Sequence, residues 1–251
     1  MMKLTLITAT YNSARTLEHC MQSVLRQDYP ELEYLLVDGG STDGTLALIE
    51  RYAAAHSCIR WVSEPDRGLY DALNKGVAMA KGEVVGFVHS DDYLAGSKVL
   101  SSIMSCLEET RADGVYGDLH YIAAQKEDHI IRRWKSRDFH TGLLQRGWMP
   151  AHPTFFLKKA VYERHGNFDL DFKIAADYDF MLRVLGDASL TFAYLPKVVT
   201  KMRVGGNSNG SLGNILKKSQ EDYRAIKKNG LHFPMGVLLA KNLSKIPQFL
   251  P

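Results

Sequence analysis

From residue 3 to residue 118, short apolar runs of strand length alternate with longer stretches of helical period. The strand candidates are residues 3–9, 33–37, 59–63, 83–88 and 115–118, and the helix candidates are residues 14–26, 44–55, 69–80 and 97–109. In the first helix candidate Leu17, Met21, Val24 and Leu25 share one face, and Asp43 stands where the second would be capped. This alternation predicts an α/β fold, a mainly parallel sheet flanked by helices. Sheets of that kind bind ligands in the loops beyond the carboxyl ends of their strands.

The second half is less regular. Strands are expected at residues 153–157 and 200–204, and a helix at 178–185. Residues 205–211 (Gly-Gly-Asn-Ser-Asn-Gly-Ser) read as a flexible loop, and residues 215–228 and 234–246 as helices. The expected division is therefore a domain over 1–204 and a loop with a C-terminal helical, basic tail over 205–251. Residues 197–251 carry ten Lys or Arg against Glu221 and Asp222, a net +8, which leaves −5 for the preceding 196 residues of a +3 chain. An acidic body and a basic tail suggest two tasks: handling a metal or cation-assisted substrate, and meeting an anionic surface.

At 251 residues the chain suits one large domain, or one domain with an extension, and can bury a core without staples. Its 45% hydrophobic and 24% charged residues disfavour the disordered, collagen-like and membrane-protein classes. Cys20, Cys58 and Cys106 are odd in number and far apart, which argues against a zinc site or disulfide scaffold and fits a reducing cytosol. The first apolar run is broken at Thr10-Tyr11-Asn12, too early for a signal peptide. No stretch approaches the ~18 apolar residues of a spanning helix. A cytoplasmic protein without a nucleic-acid partner is expected.

The strand ends hold the chemistry. They read Ala9-Thr10-Tyr11-Asn12, then Val37-Asp38-Gly39-Gly40-Ser41-Thr42-Asp43-Gly44-Thr45, then Glu64-Pro65-Asp66-Arg67-Gly68, then His89-Ser90-Asp91-Asp92. Neither the dinucleotide fingerprint G-x-G-x-x-G nor the phosphate loop G-x-x-x-x-G-K-[ST] is present. An acidic edge meets a diphosphate only through a divalent cation that carboxylate and phosphate oxygens share. Taken singly, Asp38, Asp43, Asp91 and Asp92 are explained equally well as turn and cap residues. Asp177 would likewise serve as a helix cap, and Asp179 with Arg183 as an i,i+4 pair.

Their joint occurrence in order resembles the family 2 glycosyltransferases of the GT-A fold, over roughly residues 3–205. The segments that carry the resemblance are Thr10-Tyr11-Asn12, residues 37–45, Ser90-Asp91-Asp92 and residues 176–183. The resemblance implies a nucleotide pocket lined by Ala9, Tyr11, Asp38 and Asp66, with Asp38 and Asp66 on the base or ribose. It implies that Asp92 coordinates the Mg²⁺ or Mn²⁺ bridging a UDP diphosphate, with Asp91 near the ribose or sugar. His89 stands where the family often has an acid, and Ala176 where it often has Glu. Asp177 is implied as the catalytic base. Displacement at an anomeric carbon needs a carboxylate within reach of the acceptor hydroxyl, and a single displacement inverts configuration.

The expected function is thus an inverting transferase moving a hexose-type sugar from a nucleotide donor, UDP in the first instance. The segment from Trp148 to Arg183 most resembles bacterial enzymes that build O-antigen or capsule units on a polyprenyl-diphosphate carrier at the inner membrane face. Two rivals are a nucleotidyltransferase and a non-catalytic sugar-binding protein on a degenerate transferase fold. His152 is either near the acceptor or metal or a structural histidine; Trp148 stacks on a sugar or packs in an interface or core. Asn74 and Lys75 are expected on a helix near the nucleotide, with Lys75 equally placed as a surface residue. In the tail, Met235, Leu239, Leu243 and Ile246 share a helical face flanked by Lys241 and Lys245, with Lys217, Lys218, Lys227 and Lys228 upstream. Such a stripe lies on an anionic membrane, or packs on the body or a second subunit.

Overall fold

A computed structural model describes residues 1–124, 126–204 and 212–249. Its first part follows the expected alternation: β1 (Leu4–Thr10), α1 (Leu17–Leu25), β2 (Leu32–Asp38), α2 (Thr45–Ala55), β3 (Ile59–Ser63), α3 (Leu69–Met79) and β4 (Val84–Phe87). A two-residue β5 (Tyr93–Leu94), α4 (Val99–Thr110), β6 (Gly114–Ala123) and β7 (Lys126–Trp134) come next. The chain then forms β8 (Phe156–Lys158), α5 (Lys159–His165), α6 (Ala176–Leu185), β9 (Phe192–Arg203), α7 (Leu212–Lys228) and α8 (Pro234–Leu243).

Nine strands among the described residues form one sheet in the order β3-β2-β1-β4-β8-β6-β9-β5, with β7 paired to β6. The ladders β3-β2-β1-β4 and β6-β9 are parallel and long, while β8, β5 and β7 join antiparallel. Both faces of the sheet are covered, so its central strands read as unbroken apolar runs. Leu4, Leu6, Tyr34 and Leu36 point into a core with α1 and α4, and Ile7, Ala9, Leu35 and Val37 into a core with α3 and α6. Successive side chains alternate between faces, so a slip of one residue would exchange the two cores. Cys20 is buried in the first core; Cys58 and Cys106 are half-buried, and all three are free thiols.

Two expected strands are corrected. Residues 153–157 are not one strand: His152–Thr154 is a 3-10 turn, and the strand is Phe156–Lys158. Pro153 lacks the N–H a ladder needs, and the Thr154 hydroxyl donates back to the Ala151 carbonyl at 2.8 Å. The strand expected at 200–204 is the end of the much longer β9. Pro196 hides it in the sequence. On β9 the residues between Tyr194 and Val198 face only Gly117 of β6, so Pro196 falls in a bulge where no ladder bond is required.

Both tail helices are present, and they pack on the body. Ala225 and Ile226 of α7 and Val237 and Leu238 of α8 are buried in the same core as α3 and α6. Gly147 makes the close approach possible: it has φ +67°, and a Cβ there would lie 2.4 Å from the Lys241 nitrogen of α8. The boundary loop, residues 205–210 with Ser211, lies outside the described residues. The expected apolar stripe is not the packing face. Met235, Leu239, Leu243 and Ile246 are 54–62% exposed. Lys241, expected to flank that face, is instead buried and paired with Asp222 at 2.7 Å.

Candidate active site

Strands β1 to β4 run parallel, so the loops after Thr10, Asp38, Ser63 and Phe87 share one edge of the sheet. The first two loops are stitched together. The Asn12 amide donates to Ser41 Oγ at 2.8 Å, and Asn12 Oδ1 accepts the Thr42 amide at 2.9 Å. Asp43 accepts the Thr45 amide at the start of α2 and the Ala14 amide from the first loop. The N-cap position of α2 is Gly44, so Asp43, expected to cap it, stands one residue earlier, and it bridges the two loops.

Ala9 forms the buried floor of this edge and Tyr11, 66% exposed, stands at its rim. Asp38 is fully buried. Its carboxylate accepts from the Thr10, Ser41 and Ser63 hydroxyls at 2.5–2.9 Å and from the Gly40 and Ser41 amides at 3.0–3.2 Å. Burial raises its pKa, but these bonds outweigh burial and hold it below the usual carboxylate value. The structure thus gives Asp38 the role of organising the loop and leaves it no exposed oxygen for a ligand. Asp66 is better placed for one. It is half-buried and lies over Gly39, where an added Cβ would sit 2.6 Å from Asp66 Oδ2. Lys75 fixes that loop by donating to the Pro65 carbonyl and pairing with Glu64 at 3.0 Å. Asn74 bonds the Phe168 backbone in both directions and does not face the strand ends through its amide.

After β4 come Asp91, half-buried, and Asp92, 1% exposed. Asp92 Oδ1 accepts the Arg203 amide at 3.1 Å, and the Arg203 guanidinium donates to the Asp91 carbonyl at 2.9 Å. Asp92 Oδ2 is buried with no hydrogen-bond partner among the described residues. Burial first, and then the neighbouring Asp91 charge, hold its carboxyl well above the usual range. An orphaned, like-charge-crowded carboxylate oxygen fits a cation ligand, because a divalent ion relieves both penalties. Among the described residues no three Asp, Glu, His or Cys side chains surround one point. Most ligands of such an ion would therefore come from phosphate or water.

Asp177 lies in the first turn of α6, one residue after its start. One carboxylate oxygen accepts the Tyr178 amide at 2.8 Å and the Tyr70 hydroxyl at 3.1 Å; the other carries no hydrogen bond among the described residues. Tyr70 divides its one proton between Asp177 and the Ile174 carbonyl. Burial and the Asp177 charge keep that phenol well above its normal pKa, so it remains a donor. The turn bearing Asp177 is also held from the tail. Glu221 of α7 accepts the amides of Lys173, Ile174 and Ala175 at 2.8–3.1 Å. Ala175 is the N-cap of α6, and Lys173 and Ile174 form the bend that leads into it.

His152 and His89 complete the cluster. Their rings are 6.3 Å apart, and His152 stacks on Phe87 with its Nε2 buried and without a hydrogen-bond partner among the described residues. Burial lowers the His152 pKa to about 4, against the pull of Asp177, and lowers that of His89 against Asp91 and Asp177. Both rings are neutral near pH 7. The structure therefore brings Ala9, Tyr11, Asp66, Asp91, Asp92 and Asp177 to one edge of the sheet, with Asp38 behind them. Tyr70, Glu221 and Arg203 were missed: a lone tyrosine in a helix, and tail residues far away in sequence, carry no local signal. Asp179 pairs with Arg183 as expected and also with Lys228 of α7, so it is structural. Trp148 packs edge-on against Tyr116 and stacks on Phe139.

A half-parallel, half-mixed sheet with carboxylates at its strand ends and a further acid on a late helix is the architecture of GT-A glycosyltransferases. Residues 5–166 match the model of glycosyl transferase family 2, and the chain belongs to that family. A PGL/p-HBAD biosynthesis glycosyltransferase of Mycobacterium bovis is 28% identical over 248 residues, 96% of this chain and 91% of the relative. S. aureus TarS 1-349 in complex with UDP-GlcNAc superposes with a TM-score of 0.74 at 20% identity, over 99% of this chain and 73% of that one. A mannosyltransferase from Pyrobaculum calidifontis in complex with GDP-Man and Mn²⁺ gives 0.69 at 24% identity, over 96% and 69%.

Proposed function

We propose that this glycosyltransferase inverts configuration, requires Mg²⁺ or Mn²⁺, and moves a hexose-type sugar from UDP to a hydroxyl of a saccharide carried on a polyprenyl diphosphate. The observation that carries the reading is the pairing of two incomplete carboxylates: Asp92, with a buried oxygen lacking a partner, and Asp177, with one oxygen anchored and one unused. The structural relatives add support for the donor and metal, since one holds UDP-GlcNAc and another GDP-Man with Mn²⁺.

Each residue then has a defined task. Tyr11 at the rim and Asp66 over Gly39 receive the base and ribose, and Asp38 keeps their loop in shape. Asp92, with Asp91 beside it, would hold the cation, which when bound supplies positive charge to the departing diphosphate. Asp177 takes the proton from the acceptor hydroxyl as its oxygen bonds to the anomeric carbon and the bond to UDP breaks. Tyr70 donates to the anchored oxygen and leaves the other for that proton. The exposed stripe on α8, with Phe233 79% exposed beside it, supports a peripheral position on the anionic inner face of a membrane.

A panel of UDP- and other nucleotide sugars with Mn²⁺, read by nucleotide release and thermal shift together, tests the reading. A UDP-sugar should be bound and turned over; chelation and Asp92→Ala should each abolish both. Full turnover in excess chelator would remove the metal from the scheme. Donor binding without any transfer would leave a sugar-binding protein. Salt-sensitive pelleting with phosphatidylglycerol vesicles checks the membrane position.

A further inference from the structure

On the side of the molecule where the tail meets β7, a cavity of about 240 Å³ lies between β7, the turn at Gly147–Met149 and the residues after α8. Among the described residues its wall includes Arg133, Lys135, Arg137, Lys241 and Lys245, and no Asp or Glu. Lys241 is answered by Asp222 at 2.7 Å, but the other four have no carboxylate within ion-pair distance among the described residues. Burial, and then Lys241 and Lys218, push the Lys245 ammonium down to about 8. Like charges gathered around a hollow stay uncompensated until an anion enters.

The cavity is also amphiphilic. Trp134 and Trp148 contribute to the wall. Leu243 and Ile246, which flank the wall residues Ser244 and Lys245 in sequence, are 62% and 60% exposed. At about 240 Å³ the space is below the ~300–1,000 Å³ of sites that enclose a whole small molecule, and suits a head group. Arginine forks match phosphate oxygens two at a time.

The cavity is close to the candidate base. Lys241 Nζ sits 3.3 Å from the ring centroid of Tyr178, the residue after Asp177, and the Asp177 charge reaches it. Tyr121 lies under the Arg132 guanidinium of β7 and is within electrostatic reach of both Asp92 and Asp177.

We propose that this cavity binds the phosphate or diphosphate of an amphiphilic acceptor, with Arg133, Arg137 and Lys245 as its ligands and the hydrocarbon along Leu243 and Ile246. The link to an acceptor rests on the glycosyltransferase reading given above; the anion site itself does not. Binding is therefore measured without donor or turnover, on the full chain in excess chelator, with inorganic diphosphate and farnesyl diphosphate as probes. Wild type should bind both, farnesyl diphosphate more tightly. Arg133→Ala/Arg137→Ala/Lys245→Ala should weaken farnesyl diphosphate at least tenfold while UDP binding with Mn²⁺ stays within twofold. Asp92→Ala should show the reverse pattern. The proposal is overturned if wild type ignores both probes at millimolar concentration, if the triple variant binds like wild type, or if Asp92→Ala loses the probes as well. It is also overturned if the triple variant loses only phosphatidylglycerol vesicles, which would make the cluster a lipid head-group patch. Failure of every sugar-transfer assay would refute the enzymatic reading and leave these binding results intact.

Discussion

The carboxylates of the two halves of the molecule are held in different ways. In the amino-terminal half, Asp38 and Asp43 are fixed by hydroxyls and amides of their own and adjacent strand-end loops. In the carboxy-terminal half, Asp177 is fixed by Tyr70 from across the molecule, and its helix start by Glu221, 46 residues further along than Ala175. The first arrangement is built by the parallel sheet alone. In the second, the Glu221 contacts exist only when the tail is docked. A nucleotide pocket can thus form from local structure, whereas the proposed base depends on long-range packing.

The sharpest way to break this comparison is Asp177→Asn. The amide keeps an oxygen for the Tyr178 N–H but cannot take up a proton. Sugar transfer should fall by ~10²–10⁴, the range expected for loss of a general base, while UDP binding and the melting temperature stay as in wild type. Transfer within a few-fold of wild type would move the role elsewhere. Asp171, which is exposed, or His152, which is buried, would be next to test.

Glu221→Ala asks whether the tail serves the base or only the fold. Removing a helix-start acceptor costs about 0.5–2 kcal/mol, and 1.4 kcal/mol is tenfold in rate. We expect kcat to fall about tenfold, with the donor KM and UDP affinity unchanged and Glu221→Gln intermediate. A drop in melting temperature with kcat intact would make Glu221 purely structural.

The same contrast explains what could be read from sequence. Strands buried on both faces and helices of clean period gave β1 to β4 and α1 to α4 to within three residues, and the acids stood out because they recur at successive strand ends. β9 was shortened because Pro196 sits in a bulge, and β7 (Lys126–Trp134) was missed because a charged hairpin strand does not alternate. Site residues were legible where a motif is contiguous, as at Asp91-Asp92. Tyr70 and Glu221 were not, because their roles arise from contacts 107 and 46 residues apart. The tail stripe was visible as a period, but not which side of α8 the body would take. The buried side is the one with Val237, Leu238 and the cation Lys241.

That buried cation gives the smallest predicted effect, and it separates the halves by pH. Asp38 and Glu33 in the first half have lowered folded-state values, so their contribution is present above the unfolded carboxylate pKa and is lost only in acid. Lys241 behaves oppositely. Burial pushes it to about 8, against Asp222 and Asp177, with Lys218 adding repulsion; Lys245 beside it is also near 8. An unfolded lysine titrates near ~10.4. Between these values the unfolded chain binds more protons than the folded one, so stability rises with pH. Thiols and phenols raised by burial work the other way, because the unfolded groups ionise first: Cys20, pushed up to about 12, with Cys58 and Cys106, from about pH 8.5, and Tyr116 and Tyr178 above about pH 10. From pH 8.0 to about 9.3, Lys241 should therefore add on the order of 1 kcal/mol to the unfolding free energy relative to a chain without the buried pair. Urea unfolding at the two pH values measures it. Replacing the pair by Lys241→Met with Asp222→Leu, which exchanges a buried ion pair for apolar packing, should flatten the slope without loss of stability. If wild type and the double variant have the same slope over this window, Lys241 reaches solvent and the seam between tail and body is looser than the structure shows.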